Sequence, residues 1–423
     1  MKKVLSVIVL LLVCAVTYAG GYRVSLQGQR GLAMGHTGVA YVNSAEIAFF
    51  NPGGLVHLES KLSISVGGFG VFSDVKYQNT QFGTSSQTDS PTGTPLYLYA
   101  AYKLSEKSSV ALAVYTPYGS TVEYPTDWSG SHLLNSIELS AIFIQPIFST
   151  KLTENVSFGG GPILAIGGVN FNRNLTRTLT DENGNRSNVE VDASGVKGYG
   201  FSVGGYAKFS DKWSFGVNYR SRIDIEVEQG EGTATFSNVP NSPLAPTVNG
   251  DFDFTATLPL PAEWTVGVTY KPTDKWVLNA DVNYAEWDIY NSLDLNFLNP
   301  DGSVALESIN PRNYQNAWTL RLGAEYAVSD KFALRGGAYF DESPVQEGFF
   351  SPETPRNDSF GFTGGFSYNV TQKLAIDASF LYLAFREVDA SYDAYTESGV
   401  EAPFAGTYRS SAFAPGLGLS YKL

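Results

Sequence analysis

The chain predicts an all-β fold: a fourteen-stranded antiparallel transmembrane β-barrel with an N-terminal hatch, or plug, inside the lumen. Three observations predict it: an export leader, a polar turn that recurs six times, and strands that set an apolar face against a charged one.

The leader comes first. Lys2 and Lys3 make a basic start, Val4 to Val16 an apolar run, and Thr17-Tyr18-Ala19 a small-residue cleavage site. The run falls short of the ~20 residues that a spanning helix needs. Residues 1–19 are therefore expected to leave as a signal peptide, taking with them Cys14, the one cysteine in the chain. A lipoprotein signal at Cys14 is disfavoured, because Val13 stands where a small residue is expected. Without cysteine the mature chain has no disulfide framework, thiol nucleophile or cysteine-based zinc site. The full chain has 28 basic against 41 acidic residues, and losing Lys2 and Lys3 with the leader leaves 26 against 41, so it lacks the basic face of a nucleic-acid binder. Its 43 Gly, 25 Tyr and 27 Phe, with no later apolar run long enough for a spanning helix, point to strands.

The turn recurs as "YKLSEKSSV" at 102–110, "KLTENVSF" at 151–158 and "KFSDKWSF" at 208–215. It returns as "YKPTDKWVL" at 270–278, "YAVSDKFAL" at 326–334 and "YNVTQKLAI" at 368–376. Each places Ser, Thr, Asp, Asn or Glu where a tight hairpin uses local side-chain hydrogen bonds. The flanking strands alternate. From Trp213, one face carries Trp213, Phe215, Val217, Tyr219, Ile223 and Ile225, and the other Ser214, Asn218, Arg220, Arg222, Asp224 and Glu226. Such a period of two marks a half-buried strand. A soluble sandwich shows it too, but Phe209, Trp213, Tyr270, Trp276, Tyr326 and Phe332 gather beside the short turns, as an interfacial belt would.

Strands are expected near 59–75, 94–104, 109–116, 139–151, 154–170, 196–209 and 212–226. The second seven fall near 252–271, 275–289, 314–328, 331–340, 359–370, 373–386 and 406–422. The ring must close, since hydrocarbon cannot satisfy an open edge. An even count leaves both termini on the short-turn, periplasmic side of a Gram-negative outer membrane. The last strand, alternating Leu417, Leu419, Tyr421 and Leu423 with Gly416, Gly418, Ser420 and Lys422, suits presentation to the barrel assembly machinery. Residues 20–58 fit no strand pattern and contain "FFNPGGL", a helix- and sheet-breaking turn flanked by apolar residues. A ring this wide is not filled by side chains alone. The domains expected are thus leader 1–19, hatch 20–58 and barrel 59–423.

The stretch "GQRGLAMGHTGVAYVNSAEIAFFNPGGL" resembles the hatch of the FadL-type outer-membrane long-chain fatty-acid transporters. The likeness continues in "VYTPYGSTVEYPTDWSG", in "LPAEWTVGVTYKPTDKWVLNADVNYAEWDIY", and in "LRGGAYFDESPV" with "FSPETPRNDSFGFTGGFSYNV". Asn51 and Pro52 match the hatch motif, while Gly53 departs from the usual Ala. The resemblance implies uptake of a long-chain fatty acid or another hydrophobic small molecule. The implied steps are capture at outer loops, passage to a lumen pocket, hatch rearrangement and sideways exit through a gap at the third strand. It implies no enzyme activity and no cofactor.

Candidates follow for each step. Leu175, Leu179, Phe236 and Leu244 suit a capture groove or loop-on-loop packing. Leu381, Leu383 and Phe385 give the thirteenth strand an apolar inward face near its outer end. Inward Arg220, Arg222, Arg321 and Arg335 suit a fatty carboxylate or, more simply, structural partners among Asp224, Glu226, Glu325 and Asp377. Pro117 and Pro146 each remove a ladder donor from the wall. The three histidines, His36, His57 and His132, are too scattered for a metal cage or a Ser-His pair. "GGGPILAIGG" at 159–168 lacks the Lys-Ser/Thr of a phosphate loop and reads as small residues where hatch meets wall. "DENGN" at 181–185 reads as a hairpin tip, not a calcium loop. A monomer surrounded by outer-membrane lipid is expected. The rival readings are a hydrophilic porin and an outer-membrane lipid-modifying enzyme.

Overall fold

A computed structural model describes residues 21–79, 81–240, 248–397 and 399–423. The leader, with Cys14, and Leu244 lie outside the described residues. The chain forms a closed barrel of fourteen antiparallel wall strands. They are β1 (Leu62–Phe69, resuming in register as Phe72–Asn79), β2 (Leu96–Ser105), β3 (Ser108–Glu123), β4 (Ser136–Lys151), β5 (Val156–Asn174), β6 (Asn188–Lys208) and β7 (Trp213–Arg220, resuming as Ile223–Val227). The rest are β8 (Gly250–Leu260 with Glu263–Thr273), β9 (Trp276–Ala285), β10 (Ala317–Ser329), β11 (Phe332–Asp341), β12 (Ser359–Asn369), β13 (Leu374–Phe385) and β14 (Phe404–Lys422). Closure is made by β1 against β14, from Ser63 opposite Lys422 to Phe69 opposite Gly416. Among the described residues no helix is long and apolar enough to cross a membrane.

The radial order is that of a barrel in lipid. Leu322 on β10 is 63% exposed on the outer face, whereas Asp281 on β9 is 2% exposed on the inner face. Burying charge is costly unless it is paired, so this orientation needs a polar interior and an apolar surround. Trp213 stacks on Tyr270 at 4.2 Å and Trp276 lies 4.7 Å from Tyr326, both at the short-turn rim.

The expected limits of the third, fifth and sixth strands change, and the seventh strand breaks. β5 and β6 run some way beyond 170 and begin before 196, forming the wall's tallest hairpin. The third strand does not close at Pro117. It continues to Glu123 across an irregularity between Tyr115 and Tyr118, because a bulge accommodates a residue with no N–H. The seventh strand breaks at Ser221–Arg222, where Ser221 and Arg220 are both buried, so the two faces exchange. Ile223 and Ile225 consequently turn inward, over Gly198, Gly200 and Gly167.

Candidate functional site

Residues 21–58 lie against the inner faces of the wall. Their breakers set the local structure: α1 (Gln29–Ala33), α2 (Ile47–Phe50) and a 3-10 turn, Pro52–His57, that has Pro at its first position and is capped by Asn51. Asn51 is fully buried. Its amide donates to Val39 O at 2.7 Å and Gly205 O at 2.9 Å, and its Oδ1 accepts from Gly53 N–H. Gly53 O accepts from Ser149 and Ser157 hydroxyls of β4 and β5. Such proximity needs bare backbone opposite. A Cβ at Gly204 would fall 2.1 Å from Asn51 Oδ1, and one at Gly159 would fall 2.4 Å from Pro52 O. Of the glycine-rich stretch on β5, Gly159 meets this segment, whereas Gly167 meets Ile225.

The opposite wall holds the segment through charge. Arg30 pairs with Asp377 at 3.0 Å, and Asp281 accepts from Gly38 and Val39 N–H. Arg23 bonds at once to Glu263, Asn283, Thr319 and Asp341, on four successive strands, β8 to β11. Its neighbours join the wall itself: Val24 N–H donates to Pro117 O, and Gly119 N–H to Tyr22 O. The irregularity in β3 thus frees its backbone for residues 22–24.

Beside these residues the wall is open. The ladder between β2 and β3 ends at Tyr97 opposite Tyr115, with Leu96 and the Thr116 hydroxyl exchanging one further pair of bonds. Above that, 91–95 and 117–122 share no ladder until Asp89 N–H meets Glu123 O. A cavity of about 320 Å³ reaches this break, and Leu381, Leu383 and Phe385 of β13 line its far side. A second cavity, about 130 Å³, lies in the lumen among Val191, Ile225, Phe254, Leu258 and Phe297. Its polar end holds Arg173, whose guanidinium bonds to Ser308, and the Arg312–Glu353 pair at 2.6 Å. Tyr118, Ser120, Leu139 and Ser140 line both cavities.

The four candidate arginines part company. Arg335 is paired with Glu325 at 2.6 Å and bonded to Ser367. Arg220 faces Glu263 at 3.6 Å and lies over the Phe49 ring. Arg222 is a correction: the face exchange turns it outward, 48% exposed and paired with Asp224. Arg321 is buried, and no hydrogen bond or ion pair to it occurs among the described residues. Pro146 sits in the β3–β4 ladder opposite Leu112. On its other side, the register pairing Ile144 with Leu164 and Phe148 with Gly160 sets it opposite Pro162, a partner not singled out in the sequence. Phe236 belongs to an added strand, Gly232–Ser237, that extends the wall against β6. There it packs edge-on to Phe297, while Leu175 lies half-buried against the core.

Among the described residues no cluster of His, Cys, Asp or Glu is placed for a metal ion. Burial, with Arg177 nearby, pushes His132 down to about 3. Burial beside Lys151 takes His57 to about 4, so both are neutral at pH 7. Asp181 accepts from Asn183 and Asn185 N–H and closes the 181–185 tip, where Gly184 takes φ +83°.

The comparisons agree with this geometry. The family model described as "Outer membrane protein transport protein (OMPP1/FadL/TodX)" matches residues 10–423. An outer membrane protein of Neisseria meningitidis serogroup B is 26% identical, over all of this chain and 98% of that one. A long-chain fatty acid transport protein of Escherichia coli O157:H7 is 21% identical over 97% of this chain and 98% of its own length. Two solved structures share the fold, each at 18% identity. A FadL homologue from Pseudomonas aeruginosa has a TM-score of 0.80, covering 95% of this chain and all of that one. The toluene transporter TodX of P. putida has 0.72, covering 94% and 98%. A barrel with apolar cavities, matched by the family model over nearly its whole length, belongs to the OMPP1/FadL/TodX family of outer-membrane transporters of hydrophobic compounds.

Proposed function

We propose that the protein takes up long-chain fatty acids: capture at the long-loop end, transfer to the lumen cavity, rearrangement of residues 20–58 as a hatch, and exit sideways between β2 and β3. One observation carries the route. The lumen cavity and the cavity at the broken β2–β3 ladder have four lining residues in common, which sets the two side by side for a ligand passing from one to the other. The energetics favour a dry path. At ~0.8 kcal/mol per methylene, a sixteen-carbon tail holds on the order of 12 kcal/mol against entering water.

Arg173 supports a carboxylate ligand over a plain hydrocarbon, since its guanidinium sits at the polar end of an apolar cavity with a hydroxyl, not a carboxylate, as its partner. Toluene is what the P. putida relative's name gives, and the fatty acid is what the E. coli relative's name gives. Leu175 and Leu179 serve capture. Pro117 serves the exit, while Pro146 and Pro162 form a second donor-poor seam that stays closed, with Gly161 pressed against Pro146 O. The barrel works as a monomer in outer-membrane lipid, its last strand read by the assembly machinery.

Native mass spectrometry of the protein purified in mild detergent tests this reading. A co-purifying hydrophobic carboxylate is expected, with no rise in sugar entry into proteoliposomes. Strong sugar flux with no bound hydrophobic molecule would make the protein a hydrophilic porin.

A further inference from the structure

Beneath Pro117, between the N-terminal segment and the wall, lies a third, much smaller chamber. It holds about 30 Å³ and is lined by Arg23, Arg220, Arg321, Glu263, His36 and Gln27, among others. Three guanidinium groups face one carboxylate across it. Arg23 is satisfied by Glu263 and Asp341, and Arg220 shares Glu263 at a looser 3.6 Å. Arg321 has neither: it is 6% exposed, with no hydrogen bond or ion pair from any described residue. Its cross-strand neighbour Asp281 directs Oδ2 at Gly38 and Val39 N–H instead. Asp341, Asp281 and Glu263 act on Arg321 only through space, so its buried donors stay unmade, which is costly, and an anion entering the chamber would meet them.

We propose that this chamber is an anion site for the carboxylate head of the departing ligand, held by Arg321 with Arg220. The chamber has room for a carboxylate group but not for a hydrocarbon tail. Arg23, Val24 and Ser25 line both it and the exit cavity, so a head group held here leaves its tail lying toward the opening in the wall. The site is separate from Arg173, which lines neither cavity at this level. It rests on the uptake reading for the identity of its ligand, though not for the presence of an anion. It makes the exit selective for acids over neutral compounds of equal length.

Two probes separate these points on the full-length mature protein. In crystals soaked in sodium bromide, an anomalous peak is expected beside Arg321 and absent in Arg321→Met. An empty chamber in both would overturn the site, whatever the fate of the uptake reading. In detergent solution, Arg321→Met should weaken binding of decanoate by about tenfold or more, the scale of one charge-assisted pair, and leave decan-1-ol unchanged. Arg321→Lys should restore part of the decanoate affinity. Melting temperature separates function from structure, because Arg321→Met removes a buried charge that makes no hydrogen bond or close ion pair and should not melt lower than the unaltered protein. Equal losses for acid and alcohol, or a drop in melting temperature, would assign Arg321 a structural role. Failure of both compounds to bind the unaltered protein would sink the uptake reading while leaving the bromide result to decide the chamber.

Discussion

Deleting residues 20–58 should turn a silent barrel into a conducting one. The wall is a closed ring of fourteen strands, too wide for its inward side chains to fill. What occupies it is a segment held by the Asn51 bonds on one side and by Arg23 and Arg30 on the other. Planar-bilayer recordings should show steady open-pore current for the deletion and almost none for the complete chain. Because so large a deletion risks misassembly, Asn51→Ala gives a graded version. It strands the buried Val39 carbonyl, at a cost of about 1–3 kcal/mol, loses the bond to the part-buried Gly205 carbonyl and unseats Gly53. Brief openings on a closed baseline are expected. Unchanged current from both variants would show that residues 20–58 do not seal the bore.

Leu139→Trp separates holding a ligand from releasing it. Leu139 is shared by the lumen and exit cavities, together with Tyr118, Ser120 and Ser140. An indole at this position fills the passage between them while leaving the body of the lumen cavity, around Val191, Phe254 and Phe297, intact. Ligand affinity should stay within about threefold, under ~0.7 kcal/mol, whereas uptake into cells that depend on this protein falls to background. Uptake at the normal rate would mean that the ligand does not travel from one cavity to the other.

The barrel was legible because a strand has only two faces. Leu320 and Leu322 against Thr319 and Arg321 give the orientation directly, and the repeated turns give the count. What escaped depends on single-residue irregularities. At Ser221–Arg222 one extra residue exchanges the faces, sending Arg222 out and Ile223 and Ile225 in, and no composition change marks the place. Pro117 read as a strand end because proline cannot donate, yet the bulge beside it lets β3 run on and lends its carbonyl to Val24. The charges of the interior were legible as a set but not as pairs. Arg335 found Glu325 directly opposite on the neighbouring strand, while Asp377 was taken by Arg30, far off in the chain. Arg23 claimed carboxylates that the wall arginines would otherwise have shared. Which cation remains unpaired is decided across the bore, and sequence order does not report that.

The sideways exit is tested most directly by a photoactivatable fatty acid carrying its diazirine at the tail end, crosslinked to the protein in native outer membranes. Adducts are predicted on the residues flanking the broken ladder, Pro91 to Pro95 and Thr116 to Val122, with none at the short-turn end of the bore. Adducts gathered instead on Gly53 to His57 would mean that the ligand leaves along the barrel axis, and would contradict the account.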